Sequence, residues 1–278
     1  MSFVNQIASK LSNPRVFIPV ASAAAGIALT YQLLTSRAAI ANESGKVFKG
    51  DNEWIDLKVK KTWDVSSNTK HLIFEFPNKD DVSGLITASC LLTKFVTEKG
   101  NNVIRPYTPI SDNDDKGEIE FVIKKYEGGK ASTHIHSLKE GDTLSFKGPI
   151  VKWKWEANQY KEIFLIGGGT GITPLYQLIH EITKNPSDKT KVSLFYGSLS
   201  PKDILMKKQL DDINSKHKDQ VNIVYFVDKA EGSFDGVTGH ISKEFLQKNL
   251  PSPSKDLKIF VCGPPGMAKA ISGAKVSP

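Results

Sequence analysis

The most diagnostic segment of this chain reads Ile163-Phe164-Leu165-Ile166-Gly167-Gly168-Gly169-Thr170-Gly171-Ile172-Thr173-Pro174. Its first four residues form a short apolar run typical of a buried strand, and Leu175-Tyr176-Gln177-Leu178-Ile179 follows with helical spacing. Glycines let a pyrophosphate approach without meeting a Cβ, and free N–H groups at a helix start attract the anion. The pattern predicts a strand, a phosphate-binding turn and a helix, although an ordinary strand-to-helix turn also uses glycine.

The residues after this turn predict a parallel sheet with an unusual nucleotide site. The second predicted strand ends in Ser198-Leu199-Ser200, where an ordinary dinucleotide fold has an acidic residue for the ribose hydroxyls. The third, residues 221–227, ends in Asp228, and the fourth runs into Cys262-Gly263-Pro264-Pro265-Gly266-Met267. Ligands of open α/β sheets bind at such carboxyl ends, so we expect a ligand there.

The preceding part of the chain has a different pattern. Short alternating segments, such as Glu118-Ile119-Glu120-Phe121-Val122-Ile123-Lys124, are separated by Asn, Asp, Gly and Pro, which predicts a small antiparallel barrel. Two motifs in it suit a second anionic ligand. Arg105-Pro106-Tyr107-Thr108 offers a permanently charged donor to a pyrophosphate, and Gly128-Gly129-Lys130-Ala131-Ser132 precedes a predicted helix over residues 134–138.

These four motifs occur in the order seen in the ferredoxin-NADP reductase superfamily, and over residues 46–278 the chain resembles its fungal mitochondrial NADH-cytochrome b5 reductases. The resemblance implies a two-domain α+β fold. Residues 46–155 would form an antiparallel β-barrel that binds FAD, and residues 156–278 a Rossmann-like parallel sheet that binds NADH.

The resemblance also assigns roles to individual residues. Thr108 would face flavin N5 and Cys262 would face the nicotinamide C4, as the two catalytic residues. The alternative for Thr108 is an ordinary strand hydroxyl, and the alternative for Cys262 is a buried thiol at a strand end. The FAD site would comprise Arg105, Pro106, Tyr107, Thr108, Ile123, Lys124, Gly129, Lys130, Ala131, Ser132 and Thr173. The NADH site would comprise Gly168, Gly169, Thr170, Gly171, Asp228, Cys262, Gly263 and Pro264.

The choice of dinucleotide follows from Asp228. A carboxylate near 4 Å from a 2′-phosphate would repel it by about 1–4 kcal/mol, and Ser198-Leu199-Ser200 offers no arginine to attract it. NADH is therefore predicted over NADPH. No metal site is expected, because His134 and His136 have no acidic or cysteine partner nearby and suit a surface or capping role.

Composition excludes several other classes. The 278 residues include only two cysteines, Cys90 and Cys262, so neither a disulfide framework nor a metal-ligand spacing is present. The net charge of +7 comes without a basic stripe interleaved with aromatics, so nucleic acid is not an expected partner. A mostly solvated basic surface is the default interpretation. The alternative is that five lysines help form a basic face near the flavin that attracts an acidic electron carrier: Lys124, Lys125, Lys152, Lys154 and Lys161.

The amino terminus predicts a targeting segment with a membrane anchor, over residues 1–45. Residues 16–36 carry no charge, the first acidic residue is Glu43, and a helix over residues 16–36 would be about 32 Å long, enough for one transmembrane span. A cleaved targeting segment and a buried soluble helix are the alternatives. The resemblance implies the mitochondrial outer membrane or, after cleavage, the intermembrane space.

We therefore expect an enzyme that takes hydride from NADH onto flavin N5 and passes single electrons to cytochrome b5 or a similar haem protein. A reductase for another acceptor, such as a quinone, is the nearest alternative. The chain stops at Pro278, whereas the resemblance implies a further helix, strand and terminal phenylalanine. A flavin-binding, membrane-tethered protein with impaired turnover is therefore a second alternative, and an anchored module without either cofactor a third. The oligomeric state is not predicted.

Overall fold

The computed structural model describes residues 45–230 and 232–273. The chain divides into two units, residues 1–46 and 47–278, and only Gly45 and Lys46 of the first are described. The predicted transmembrane helix over residues 16–36 therefore lies outside the described residues. Among those that are described, every helix is too short or too polar to span a bilayer.

An antiparallel sheet of six strands occupies the first half of the second unit, in the spatial order β4-β3-β6-β1-β2-β5. Helix α1 (Lys130–Ser137) lies between β5 and β6 in the chain. The strands are β1 (Ile55–Ser66), β2 (Thr69–Glu75), β3 (Ser89–Val96), β4 (Asn102–Tyr107), β5 (Glu118–Lys124) and β6 (Thr143–Val151).

This sheet is strongly curled around one apolar core. Phe121 of β5 stacks on Phe146 of β6 with ring centroids 5.5 Å apart, although two strands lie between them in the sheet. In a flat sheet three strand spacings would separate them by about 14 Å. The predicted antiparallel sheet is confirmed, but within the described ranges the edge strands β4 and β5 do not pair, so hydrogen bonding does not close it into a barrel.

The second half contains a parallel sheet of five strands in the order β10-β9-β8-β7-β11, as predicted for a Rossmann-like domain. Its strands are β7 (Glu162–Gly168), β8 (Lys191–Ser198), β9 (Val221–Val227), β10 (Val237–Thr238) and β11 (Leu257–Cys262). Its helices are α2 (Ile172–Lys184), α3 (Lys207–Lys216), α4 (Lys243–Asn249) and α5 (Pro265–Ser272).

Both faces of the parallel sheet are buried, because alternate residues of each strand enter different cores. Ile163 and Leu165 of β7 pack in a cluster with α2, whereas Phe164 and Ile166 pack on the opposite face with α4 and α5. This two-sided burial explains the continuous apolar runs of the sequence.

The strand order reverses direction beside β7. From β7 the chain adds β8, β9 and β10 on one side, and then returns to place β11 on the other. Such a switch point leaves a crevice outside the carboxyl ends of the two strands, here β7 and β11. The glycine run follows β7 and the Cys262-Gly263-Pro264 turn follows β11, so both motifs lie at this crevice.

Side chains from the two halves of the second unit pack together. Ala88 and Val122 from the antiparallel half belong to the core around α2. Lys184 of α2 lies 2.8 Å from a carboxylate oxygen of Asp112 and 2.9 Å from one of Asp114, in the loop after β4. The cleft between the two halves therefore has a defined shape.

Candidate active site

A cavity of 920 Å³ lies between the antiparallel sheet and the crevice at β7 and β11. Its volume is at the upper end of the range for sites that hold small molecules. All four motifs contribute to its walls. The lining residues that were predicted as site residues are Arg105, Pro106, Tyr107, Thr108, Ile123, Lys124, Gly129, Lys130, Ala131, Ser132, Thr170, Gly171, Thr173, Cys262, Gly263 and Pro264.

The charge of this cavity is positive and unevenly distributed. Four cationic side chains, Arg105, Lys124, Lys130 and Lys152, line it, and none of its described lining residues is acidic. All four belong to the antiparallel half, while the parallel half contributes only uncharged residues. An anionic ligand is therefore favoured, and most strongly on the side of the antiparallel sheet.

Arg105-Pro106-Tyr107-Thr108 ends β4 and continues past it along the cavity wall. The Arg105 side chain is exposed, and its guanidinium donates a 2.7 Å hydrogen bond to the Ile104 carbonyl. Most of its five N–H donors are thus available to a ligand. Burial raises the pKa of Tyr107 to about 12, against an opposing effect of Arg105, so its phenol is neutral at physiological pH.

The turn Gly128-Gly129 leads directly into α1, which begins at Lys130 rather than at the predicted residue 134. Gly128 has φ of +68°, which glycine adopts without strain. No side chain caps the helix and its first turn contains no acidic residue. The first N–H groups of a helix have no intrahelical acceptor, so these can bind an anion.

The glycine run after β7 has the same properties at the start of α2. Gly169 has φ of +53°, no side chain accepts from the first N–H groups of the helix, and no acid occupies its first turn. By contrast α4, whose start is not part of the cavity, is capped by Ser242 and carries Glu244 in its first turn. Two helix starts without a side-chain cap, those of α1 and α2, therefore line one cavity.

Two glycines of the run lie close to the turn after β11, and packing requires glycine at one of them, Gly171. A Cβ on Gly171 would collide with the backbone carbonyl of Cys262, and one on Gly168 would lie 2.6 Å from Met267 Sδ. The glycine run and the turn after β11 therefore pack directly against each other.

The cysteine at this contact is a neutral thiol. Cys262 is partly buried in the cavity wall, and burial raises its pKa above the ordinary value. Cys90, on the antiparallel side of the same cavity, is fully buried and its pKa is raised for the same reason. Neither group is a thiolate at neutral pH, so the cavity gains small polarizable side chains rather than nucleophiles.

Three predicted site residues do not line the cavity: Gly168, Gly169 and Asp228. Gly168 is buried beneath the turn, and the Gly169 carbonyl accepts a 2.9 Å hydrogen bond from the Tyr196 hydroxyl. Asp228 follows β9, and its carboxylate lies 3.0 Å from Nδ1 of the exposed His240. A dinucleotide that reached Asp228 would therefore extend beyond the cavity along the carboxyl edge of the sheet.

The cavity also contains residues that were not predicted as site residues, notably Tyr126, Trp153 and Cys90. The Tyr126 hydroxyl lies 2.7 Å from Thr170 Oγ1, across the cleft. Trp153 packs edge-on against Phe260 of β11, with ring centroids 5.5 Å apart. Both depend on partners far along the chain, so no local sequence pattern could have indicated them.

The two histidines of α1 make structural contacts. His134 stacks on Phe95 at 4.1 Å between ring centroids, and His136 Nε2 lies 2.8 Å from the Ile123 carbonyl. Burial lowers the pKa of both. No group of three potential metal ligands occurs in the described ranges.

The cavity fits the two cofactors that the sequence predicted. FAD and NADH each carry a pyrophosphate, and the cavity offers two uncapped helix starts, one from the half that contributes the cations and one from the half that contributes only uncharged residues. The absence of carboxylates from its described walls removes the main electrostatic obstacle to such ligands.

Comparison with known proteins agrees with this geometry. Residues 56–155 match the oxidoreductase FAD-binding domain and residues 165–273 the oxidoreductase NAD-binding domain. A solved structure, the cytochrome b5 reductase domain of Ulva prolifera nitrate reductase, is similar with a TM-score of 0.75 and 28% identity, over 81% of this chain and 93% of that one. These matches confirm the two predicted cofactors and the two-domain fold.

Curated relatives are similar over nearly the whole chain. NADH-cytochrome b5 reductase 2 of Meyerozyma guilliermondii is 69% identical over 270 residues, which cover 97% of this chain and 91% of the relative. The protein of the same name from Debaryomyces hansenii is 68% identical over 278 residues, which cover 100% and 92%. The chain therefore belongs to the NADH-cytochrome b5 reductase family.

Proposed function

We propose that this protein takes a hydride from NADH with the help of bound FAD and passes single electrons to cytochrome b5 or a similar haem protein. The observation that carries this proposal is that one cavity is lined by two uncapped helix starts, with all its cationic residues on the side of α1 and only uncharged residues on the side of α2. The names of the relatives support cytochrome b5 as the acceptor.

The cationic side of the cavity suits the resident cofactor. Arg105 and Lys130, with the first N–H groups of α1, would hold the FAD pyrophosphate through charged hydrogen bonds. Tyr107 and Ile123 offer a largely apolar wall on which an isoalloxazine ring can lie. When bound, FAD accepts a hydride from NADH and releases its two electrons one at a time.

The neutral side suits a substrate that must enter and leave. Thr170, Gly171 and the start of α2 would bind the pyrophosphate of NADH, and Asp228 would accept hydrogen bonds from its adenosine ribose. A ligand held by neutral donors binds less tightly than one held by charged groups. This difference supports exchange of the dinucleotide at each turnover.

Thr108 and Cys262 are the proposed residues at the reacting atoms. Both line the cavity and both are partly buried, and the thiol is protonated at neutral pH. Hydride transfer needs no general acid or base, so the role of this chain is to align two rings and exclude water. The neutral phenol of Tyr107 fits the same role.

The visible spectrum of the full chain, purified in detergent, tests the proposal. We expect flavin bands that bleach on anaerobic addition of NADH, bleach more slowly with NADPH, and return on addition of oxidised cytochrome b5. Flavin that resists NADH would favour impaired turnover. Flavin that NADH reduces but only a quinone reoxidises would favour the other acceptor, and colourless protein would overturn the proposal.

We also propose that the chain acts at the mitochondrial outer membrane, tethered by residues 16–36. The support is the uncharged stretch itself and the acid-free, basic leader before it. Alkaline extraction of isolated mitochondria should leave the full chain in the membrane pellet. A chain in which Ala24 and Leu29 are both replaced by Asp should appear in the supernatant, and equal extraction of the two would contradict the anchor.

A further inference from the structure

We propose that Tyr126 is a positioning residue for NADH, and that its phenol donates a hydrogen bond to Thr170 so that the Thr170 proton is directed at the dinucleotide pyrophosphate. This inference rests on the proposed function of the turn before α2 as the NADH site. It adds a residue from the antiparallel half to the recognition of a ligand bound by the parallel half.

The geometric basis is one hydrogen bond across the cleft. Tyr126 lies in the loop after β5, and Thr170 lies in the 3-10 turn Gly169–Gly171 between β7 and α2. Their hydroxyl oxygens are 2.7 Å apart, and both residues line the cavity. The Tyr126 side chain is half exposed, so its hydroxyl is held by this one bond rather than by burial.

The Tyr126 backbone is fixed to the proposed FAD site. Its N–H donates a 3.1 Å hydrogen bond to Ser132 Oγ, and its carbonyl accepts a 3.0 Å bond from the Gly129 N–H. Both partners belong to the turn that begins α1. The phenol therefore projects from a rigid base, which limits the conformational entropy lost when it contacts Thr170.

Thr170 is held equally firmly on the other side. Its carbonyl accepts a 3.2 Å bond from Thr173 Oγ1, and the carbonyl of the preceding Gly169 accepts a 2.9 Å bond from the buried Tyr196. These two hydrogen bonds fix the backbone of the turn. They leave the orientation of the Thr170 hydroxyl unfixed, and the hydrogen bond to Tyr126 can set it.

The direction of the bond follows from the number of protons. A threonine hydroxyl has one proton and two lone pairs. If Thr170 donates that proton to a phosphate oxygen, the bond to Tyr126 persists only with the phenol as donor. A chain of hydroxyls that ends on an anion strengthens each of its bonds, so phosphate binding favours this arrangement.

Kinetics of the FAD-loaded full chain with ferricyanide as acceptor test the proposal. Tyr126→Phe should raise the KM for NADH by about two- to ten-fold, the effect of one net hydrogen bond, with kcat and flavin content unchanged. ADP-ribose, which carries the pyrophosphate without nicotinamide, should lose competitive affinity by a similar factor. Tyr160→Phe is the matched control, because Tyr160 does not line the cavity.

A double-mutant cycle shows whether Tyr126 acts through Thr170. Thr170→Val should raise KM further than Tyr126→Phe, and Tyr126→Phe should then add nothing, whereas in a Thr170→Ser chain its effect should remain. Equal effects of Tyr126→Phe with and without the Thr170 hydroxyl would overturn the proposal, as would a loss of flavin or of kcat. If NADH fails to reduce the wild-type flavin, the proposed function itself fails; if it succeeds and Tyr126→Phe leaves KM unchanged, only this inference fails.

Discussion

The turns before α1 and before α2 face the same cavity and differ in how they can bind an anion. Both end at a helix start without a side-chain cap or an acidic residue. The turn before α1 lies on the side of the cavity that carries the four cations, and a Cβ on its Gly129 would lie 2.6 Å from the Ser132 side-chain oxygen. The turn before α2 has no charged neighbour on its side of the cavity, and a Cβ on Gly171 would enter the backbone of Cys262.

The two turns therefore bind an anion by different means, one through charged side chains and the other through closely packed backbone donors. A charged hydrogen bond contributes about 1.5–3 kcal/mol and a neutral one about 0.5–1.5 kcal/mol, so the turn before α1 is built for the tighter ligand. The turn before α2 relies on backbone donors held in place by close packing. One molecule can thus retain a flavin and release a dinucleotide although both ligands present the same pyrophosphate.

The largest effect on NADH binding is expected in the turn before α2, where close packing leaves no room for a side chain. Gly171→Val places side-chain atoms inside the Cys262 backbone, so the turn must move away from β11 at a cost of about 1–3 kcal/mol or more. We expect NADH to lose the ability to reduce the flavin, with a lower Tm and flavin still bound. Gly266→Ala, at the start of α5, should have a much smaller effect, because its φ is not positive and nothing lies within 4 Å of its Cβ. Normal reduction of Gly171→Val by NADH would show that packing is not decisive.

The charged side should respond to loss of its arginine. Arg105→Leu should weaken FAD binding by about 10- to 150-fold, which corresponds to 1.5–3 kcal/mol, because charged hydrogen bonds are lost. The FAD affinity of Arg105→Lys should lie between those of the wild-type chain and Arg105→Leu, since lysine keeps the charge but cannot form a bidentate hydrogen bond. Fluorescence titration of FAD into flavin-free protein measures the affinity. If the KM for NADH rose instead, the assignment of the two sides would be reversed.

Secondary structure was largely accessible from the sequence because alternation and apolar runs are local. The predicted segments 118–124 and 221–227 coincide with β5 and β9. The start of α1 was misplaced, since Lys130, Ala131 and Ser132 were interpreted as a turn before a helix at residue 134. Those polar and small residues lack an apolar stripe, and the helix start depends on the φ of Gly128, which periodicity does not report.

The site could be predicted only in part, because sequence patterns report local structure and not contacts between distant segments. Motifs identified the segments that line the cavity, because phosphate binding places strict demands on adjacent residues. They did not show that Gly171 packs against the Cys262 backbone, or that Tyr126 contacts Thr170, since these partners are far apart in the chain. The curled sheet was predicted as a barrel, but edge closure depends on long-range pairing that alternation does not determine.

Ionic strength tests the difference in charge between the two turns without a mutation. Raising ionic strength from about 0.05 to 0.5 M shortens the screening length well below 10 Å, so interactions of exposed cations weaken. The affinity of flavin-free protein for FAD should fall by about three- to ten-fold, whereas the KM for NADH should change by less than about two-fold. The two ligands carry the same pyrophosphate charge, so each is the control for the other. Equal salt dependence would show that the two turns do not differ in charge.

The smallest effect concerns the phenol on the charged side. Burial raises the pKa of Tyr107 to about 12 in the folded chain, while an unfolded tyrosine ionises near 10. Its contribution to stability is therefore complete below pH 10 and is lost as pH rises towards 12, because the unfolded state releases its proton first.

Tyr107→Phe removes that contribution and should reduce the alkaline loss of stability. Urea unfolding of the flavin-free protein at pH 8 and pH 11 measures it. Tyr176, Tyr196 and Tyr225 also have raised pKa values and ionise in both proteins, so the difference between the two isolates Tyr107. An identical loss of stability would mean that the pKa of Tyr107 is not raised in the folded chain, because the effect of Arg105 offsets the effect of burial.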